Sequence, residues 1–407
     1  MSGTPNGLAD VQVHLVDSVE EAQNFLRWIG ERRPYNAISV DIETGELPGN
    51  PKTDAFSPWH GVIRLVQVGD GQQGWAIPWE EWAGVFYQGI MNYDGPIVCH
   101  NLAFEARWFA VKSRWNLPWH QMHDTMLMSQ VIQPDSKTHA LKKLAGKFVD
   151  HKSVALQDTL QGAFDKNGWT WGTVPINYEP YWAYGALDTV LTTRLFTDHF
   201  WPQVQPGAMY STPYELEMQT RKIATRMEVN GARVDLDYTA RQHQRLLDYV
   251  DEVKERGKNY YKSSLSSPIQ LVRLFESMGG EISSFTPSGN KSVDKDQLKR
   301  FVRDGTSEIQ FLAKLVLDMR KADKLASSYF ANFMKDQVDG VIHPSINIMA
   351  ARTGRMSITN PALQTLPSKD SLVRKAFIPK EDGWGIISSD LDQVEFRLTA
   401  CFSEDQT

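Results

Sequence analysis

The chain reads as a mixed α/β domain, then a mainly helical region, then the opening of a second sheet-and-helix element. Three observations predict this. Runs of alternating or continuous apolar, β-type character at Val11 to Val16, Ala37 to Ile42, Val62 to Gly69, Trp75 to Ile77 and Pro96 to Cys99 are interleaved with helical periods. From Tyr214 the apolar residues fall three and four apart instead. Trp384 to Ser389, β-branched around Ile386 and Ile387, predicts a buried strand that delivers Asp390 just before an amphipathic helical run.

At 407 residues the chain exceeds one compact core, so two or three domains are expected. Its 41% hydrophobic content is that of a globular protein. The formal net charge of −6 argues against nucleic-acid binding by bulk charge, but a basic groove on an acidic body serves a phosphate backbone equally well. Charge therefore excludes no function. The two cysteines, Cys99 and Cys401, have no partner at metal-site spacing, which fits a reducing cytosol and two small buried core residues. No basic segment leads into an apolar one at Met1 to Gly7, and no apolar run reaches membrane-spanning length. A soluble cytoplasmic protein is expected. Pro202 to Pro213, rich in Pro, Gln and Gly, is the best linker and predicts a domain boundary near residue 205.

In the first domain, acidic residues mark the ends of elements. Ile38-Ser39-Val40-Asp41-Ile42-Glu43-Thr44 sets two carboxylates two residues apart at a strand terminus, where the period of two points both to one face. Two adjacent anions there invite a divalent cation. Asn101-Leu102-Ala103-Phe104-Glu105 begins a helix after a buried strand, and Tyr184-Gly185-Ala186-Leu187-Asp188 puts a phenol and a carboxylate one turn apart on one helix face. Asp124, within His123-Asp124-Thr125-Met126-Leu127, reads as a helix cap. Trp169 and Trp171 lie in the least informative stretch, with two readings open: platforms for a frayed base, or loop packing.

In the second region, Glu215 to Glu228 ends at Asn230-Gly231, a left-handed stop, and Asp237 to Ser263 is one long amphipathic helix. Ser266-Ser267-Pro268 opens another with Pro in its first turn, and the turn-rich Phe285 to Ser292 precedes a helix at Asp294 to Arg303. Lys291, Arg300, Arg303, Lys314, Arg320, Lys321 and Lys324 make this the more basic part, suited to lying along phosphates or simply solvated.

Near the end, Ala351-Arg352-Thr353-Gly354-Arg355-Met356-Ser357 runs into Asn360-Pro361-Ala362-Leu363-Gln364, and Asp390-Leu391-Asp392-Gln393-Val394-Glu395-Phe396-Arg397 follows. These residues resemble the fingerprint of family A DNA polymerases, the class of bacterial DNA polymerase I. The three acidic motifs of the first domain, taken in order, resemble those of DEDDy 3′ to 5′ exonucleases, and His139-Ala140-Leu141-Lys142-Lys143-Leu144 is similar to the proofreading domain of the same polymerases. The resemblance implies an α/β ribonuclease-H-like exonuclease over 1–205, a mainly helical polymerase thumb over 206–340 and an incomplete α+β palm over 341–407.

It also implies roles. Asp41, Glu43 and Asp188 would ligate two Mg²⁺ ions, or Mn²⁺, with Glu105 holding one directly or through water and Tyr184 orienting the nucleophilic water. Glu105 stands where the family usually has Asp, and Asp392 where polymerase I has Ser. Gly354 would supply a turn, with Arg355 reaching the primer terminus in the minor groove, where readout tolerates any sequence. Asn360, Gln364 and Arg397 would contact DNA, Asp390 and the Leu391 carbonyl would bind polymerase metals, and Glu395 would exclude a ribose 2′-hydroxyl. The triphosphate-clamping helix and the second palm carboxylate of the family are not in this sequence. The leading expectation is thus the N-terminal part of a compact, phage-like replicative polymerase with proofreading. It would bind primer-template and a single-stranded 3′ end, and dNTP only with a protein partner that completes palm and fingers. A stand-alone two-metal exonuclease and a non-catalytic DNA-binding subunit are the alternatives.

Overall fold

The computed structural model describes residues 8–47, 55–113, 116–351, 353–367 and 371–403. By compactness the chain forms two units. One runs to Asn230 and takes back Pro344–Thr359, and the other holds Gly231–His343 and the chain from Asn360 onward.

The first unit is built on a six-stranded sheet of β1 (Gln12–Leu15), β2 (Ile38–Glu46), β3 (Gly61–Gly69), β4 (Gln73–Pro78), β5 (Ile97–Cys99) and β6 (Met122–Asp124) in the order β1-β4-β3-β2-β5-β6. The central strands β2, β3 and β4 are antiparallel neighbours, whereas β1, β5 and β6 pair in parallel. One face is covered by α1 (Val19–Gly30), α2 (Trp79–Ile90) and α3 (Leu102–Lys112), whose Phe25, Trp28, Phe86, Trp108 and Phe109 close a core with Ile38, Val40 and Ile42. The opposite face receives α4 (Thr125–Ile132), α5 (Leu141–Phe148), α6 (Leu156–Asn167) and α7 (Glu179–Arg194). Alternation along β2 turns Ser39 to that second face, where its hydroxyl pairs with Thr193 of α7 at 2.7 Å. Asp41 and Glu43 follow Ser39 at the same period and face the same way.

Helix α7 lies unusually close to the sheet. A Cβ on Gly74 of β4 would run into the backbone of Ala186, and one on Gly185 of α7 into the Gln67 side chain of β3. Glycine at these two places lets helix and sheet backbones touch, which lowers Tyr184 and Asp188 onto the strand carboxylates.

The five strands expected in the first domain are all present, and β6 is an additional one. The Asp-x-Glu pair, expected at a strand terminus, sits mid-strand instead, because a bulge between Glu43 and Thr44 lets β2 continue along β3 to Glu46. The linker read at Pro202 to Pro213 is folded: α8 (Trp201–Val204) is followed by a turn closed by bonds from Ala208 to Gln205 and from Tyr210 to Gln203, and then by α9 (Ser211–Asn230). Tyr214 and Ala224 of α9 are buried in the first unit's core, so the compact division falls at Asn230 and not near 205. The first unit also takes a hairpin of the C-terminal segment, Ser345–Asn347 paired with Ser357–Thr359, so 341–407 is not one compact piece.

In the second unit, β7 (Ala232–Arg233) precedes α10 (Leu236–Tyr260), α11 (Pro268–Ser277), α12 (Lys295–Asp304), α13 (Ser307–Leu325) and α14 (Ala331–Asp336). The helical expectations hold closely: Asp294 and Ser267 cap α12 and α11, and Phe275 stacks on Phe301 at 4.6 Å in the core they share with α10 and α13. The short strands β8 (Gln337–Val338) and β9 (Val341–Ile342) complete a small sheet with β7, and β10 and β11 are the hairpin strands Ser345–Asn347 and Ser357–Thr359 already placed in the first unit. The chain then reaches α15 (Ser371–Arg374) and α16 (Val394–Ser403).

Two expectations fail here. Trp384 to Ser389 is not a buried strand but irregular and exposed, with Ile387 93% accessible. A strand with no neighbour among the described residues to accept its ladder hydrogen bonds and cover its side chains has nothing to hold it extended. Cys401, expected in a core, is likewise exposed on α16, whereas Cys99 is buried on β5 as expected.

Candidate active site

Five of the expected site residues converge from three separate segments. Asp41 and Glu43 come from β2, Glu105 from the first turn of α3, and Tyr184 and Asp188 from α7. Glu43, Glu105 and Asp188 are buried and Asp41 is half-buried.

The placement of Glu105 depends on Asp124. This buried carboxylate accepts from the Asn101 and Leu102 N–H groups at 3.0 and 2.9 Å and from the Met126 and Leu127 N–H groups at 2.8 and 3.3 Å. One side chain thereby caps α4 and satisfies the start of α3, as the cap reading expected, while Asn101 turns the chain at φ 74° between strand and helix. Glu105 then follows within the first turn, where the helix favours an anion.

The electrostatics are those of crowded carboxylates under a sheet. Burial raises Asp41 to about 6, against the pull of the Ile42 N–H and Lys142, and Asp41 faces Glu105 closely enough to hydrogen-bond it. Glu43 is pushed well up by burial and then by the charge of Asp41, and Glu105 by the same two causes. Glu105 Oε2 is buried without a hydrogen-bond partner among the described residues. Tyr184 is held above its ordinary value by burial and by Glu43 and Asp41. Neighbouring like charges at this density are characteristic of sites that hold a cation or a proton.

A side-chain ammonium also reaches this cluster. Lys142 of α5 bonds Asp188 through Nζ and stands 4.0 Å from the centroid of the Tyr184 ring. Burial draws this ammonium down to about 7 against the upward pull of Asp41 and Glu43. Sequence reasoning gave Lys142 no role of its own, and the signal that pointed to it was the resemblance of the His139 to Leu144 stretch to a proofreading domain. Among the described residues, no three His, Cys, Asp or Glu side chains stand together in a metal-holding arrangement.

A cavity of about 310 Å³ opens onto the cluster, lined by Lys142, Lys143, Gln157, Asp158, Tyr184 and Asp188 among others. The loop that carries the two unexplained tryptophans walls Tyr184. Trp171 contacts Tyr184, Phe164 and Tyr181, and Trp169 packs on Tyr178. Arg64 donates to the Trp171 and Val174 carbonyls at 3.0 and 2.6 Å, and Glu46 accepts from Thr170 and Gly172. Both tryptophans are thus packing residues of the loop.

The remaining expected residues are exposed or lie in turns. Gly354 turns at φ 74° with its N–H on the Ala351 carbonyl, leaving Arg355 exposed in the first unit's hairpin. Asn360 and Gln364 are exposed in the second unit, as are Asp390, Leu391, Asp392, Glu395 and Arg397; Arg397 donates to the Asp392 carbonyl at 2.8 Å.

Comparison with known proteins accords with both halves of the chain. Residues 16–205 match the 3′-5′ exonuclease family and residues 236–407 match DNA polymerase family A. The chain is 26% identical to the DNA polymerase of Mycobacterium phage D29, over 98% of this chain and 66% of that protein. It is 27% identical to DNA polymerase I of Pseudomonas aeruginosa, over 70% of this chain and 31% of that protein. The solved POL domain of Pol1 from M. smegmatis, in complex with DNA primer-template and dNTP, shares the fold with a TM-score of 0.70 at 18% identity, over 97% of this chain and 63% of that one. The chain therefore spans about two thirds of the phage relative's length. An exonuclease match is thus followed by a polymerase match in one continuous sequence, which makes residues 236–407 a DNA polymerase family A region and residues 16–205 a 3′-5′ exonuclease region.

Proposed function

We propose that the first unit is a two-metal 3′ to 5′ exonuclease acting on single-stranded DNA ends, within a replicative polymerase. The observation that carries this is the convergence of Asp41, Glu43, Glu105, Tyr184 and Asp188 from β2, α3 and α7 beside one cavity. The donor chemistry fits Mg²⁺ or Mn²⁺: the donors are all oxygen, crowded and raised, and the buried Glu105 Oε2 lacks a partner among the described residues. Such cations, when bound, would supply the charge stabilisation that phosphodiester hydrolysis needs. Asp41, Glu43 and Asp188 hold them, with Glu105, one methylene longer than the family's usual Asp, assisting. Tyr184 orients the water through its hydroxyl, kept as a neutral phenol by its upward shift. The ribonuclease-H-like assignment of the sheet belongs to the same reading.

The second unit's helices are read as the thumb, and 341–407 as part of a palm. Arg355, Asn360, Gln364 and Arg397 then seat primer and template, Asp390 and the Leu391 carbonyl bind polymerase metals, and Glu395 selects deoxyribose. These roles rest on the sequence motifs. The exposed Trp384, Ile387, Leu391, Phe396 and Phe402 suit a surface that further protein, from a partner or from the same polymerase, covers. A cytoplasmic setting, the host's if the gene is a phage's, accords with this use. No helix among the described residues is long and apolar enough to cross a membrane.

The test is degradation of a 5′-labelled single-stranded DNA by the purified chain in Mg²⁺, beside the Asp41→Ala, Glu43→Ala double variant. Stepwise 3′ shortening that disappears in the variant is expected. The bond between Lys142 and Asp188 favours one second reading, a non-catalytic DNA-binding subunit, which tight binding with no shortening would bring forward.

A further inference from the structure

Lys142 is a buried charged group that the exonuclease chemistry above does not use. Its side chain is 10% exposed, and its ammonium touches Asp188 and the face of Tyr184 at once. Those two residues lie one turn apart on α7, so a single point charge fixes both the carboxylate and the ring plane. The helix that carries Lys142 is itself anchored. His100 meets the His139 carbonyl at 3.0 Å, its other ring nitrogen meets Thr125 at 2.9 Å, and His139 pairs with Ser129 at 2.8 Å. Lys142 thus projects from a fixed turn into the cavity that it lines with Tyr184 and Asp188.

We propose that Lys142 is a positioning residue of the exonuclease site, setting the Tyr184 hydroxyl and the Asp188 carboxylate against the β2 carboxylates. This rests on the exonuclease reading. Its loss leaves the substrate's binding surface in place but frees the ring and the carboxylate to turn, which costs turnover and not affinity.

The experiment compares wild type, Lys142→Met, Lys142→Arg, Tyr184→Phe and the Lys142→Met, Tyr184→Phe double variant on a 5′-labelled single-stranded oligonucleotide in Mg²⁺. Affinity for the same oligonucleotide is measured in EDTA by fluorescence anisotropy. Lys142→Met is expected to lose about 100-fold in kcat, the usual scale for a misplaced reacting group. KM and the EDTA affinity should stay within about threefold, as for an interaction made only in the transition state. Lys142→Arg should recover at least about tenfold, and Tyr184→Phe should cost less on the Lys142→Met background than alone, because coupled residues are non-additive. A wild-type rate in Lys142→Met would overturn the proposal. So would parallel loss of kcat and affinity without recovery in Lys142→Arg, or failure of both Lys142→Met and Lys142→Arg to fold, each of which makes the residue structural. An inactive wild type would instead sink the exonuclease reading, and this inference with it.

Discussion

At the scale of single residues, Asp124 shows how a site depends on a side chain that takes no part in its chemistry. Four backbone N–H groups from two helix starts converge on its two oxygens. Asp124→Ala should destabilise the protein by about 3 kcal/mol, combining a lost cap with unpaired buried donors. Asp124→Asn, which turns an amide toward one set of donors, should cost about 2 kcal/mol. Urea unfolding measures both, and a change under about 0.5 kcal/mol, the range of a surface substitution, would show that the four bonds are dispensable. The neighbouring His123, enclosed by Phe196, Trp201 and Tyr214, gives a pH signature. Burial lowers it from 6.5 to about 4. A lowered histidine contributes stability that is present above its unfolded value and is lost as pH falls through the folded one. From pH 7 to pH 5 this group alone should remove about 2 kcal/mol. Asp41, raised to about 6, slopes the other way, so the difference between wild type and His123→Phe isolates the histidine. Equal pH slopes for the two proteins would contradict the burial argument.

Among elements, those with local signals were legible and those defined by distant partners were not. Asp124 before Thr125 is a short-range cap that lies where the sequence predicts it, and the helices capped by Ser267 and Asp294 begin where the sequence opens them. The carboxylate pair was legible as a pair because Asp41 and Glu43 obey the strand period, but not as mid-strand, since the bulge depends on how β3 pairs. The burial of Lys142 could not be read, although its stretch resembles a proofreading domain. Its burial comes from α7, whose close seat on the sheet rests on contacts from Gly74 and Gly185 to distant residues. The affiliation of α9 was hidden for a like reason. Its buried Arg221 donates to Glu228 at 2.7 Å and to the Ile346 carbonyl at 2.8 Å, while Glu228 accepts from the Ile346 N–H, so helix and hairpin are tied by an ion pair between residues seven apart. Removing one partner strands a buried charge. Arg221→Met or Glu228→Leu alone should cost about 3 to 5 kcal/mol, and the double variant much less than their sum. Additive losses in thermal unfolding would mean that the two residues act independently.

For the whole molecule, the end of the chain behaves differently from the hairpin just before it. Ile346 and Ile348 are 5% and 3% exposed in the first unit's core, whereas the described residues from Glu381 onward are all exposed. Sequence alone could not foresee this contrast, because apolar runs such as Trp384 to Ser389 and Ser345 to Ile348 look equally fit for burial, and what decides is whether a covering surface stands opposite. Stability should therefore be spread unevenly along the chain. Chymotrypsin should cut first at Trp384, Leu391, Phe396 or Phe402, where side chains are accessible and no strand ladder protects the backbone. A chain ended at Gly383 should keep the exonuclease rate and a melting temperature within about 2 °C, since it loses no buried side chain among the described residues. A chain ended at His343 should lose at least about 3 kcal/mol, because Arg221 and Glu228 lose their backbone partner and the core loses two isoleucines. Should trimming at Gly383 abolish DNA shortening while the hairpin stays folded, the exposed segment would have a part in the exonuclease reaction itself, and the two units could no longer be treated as separable.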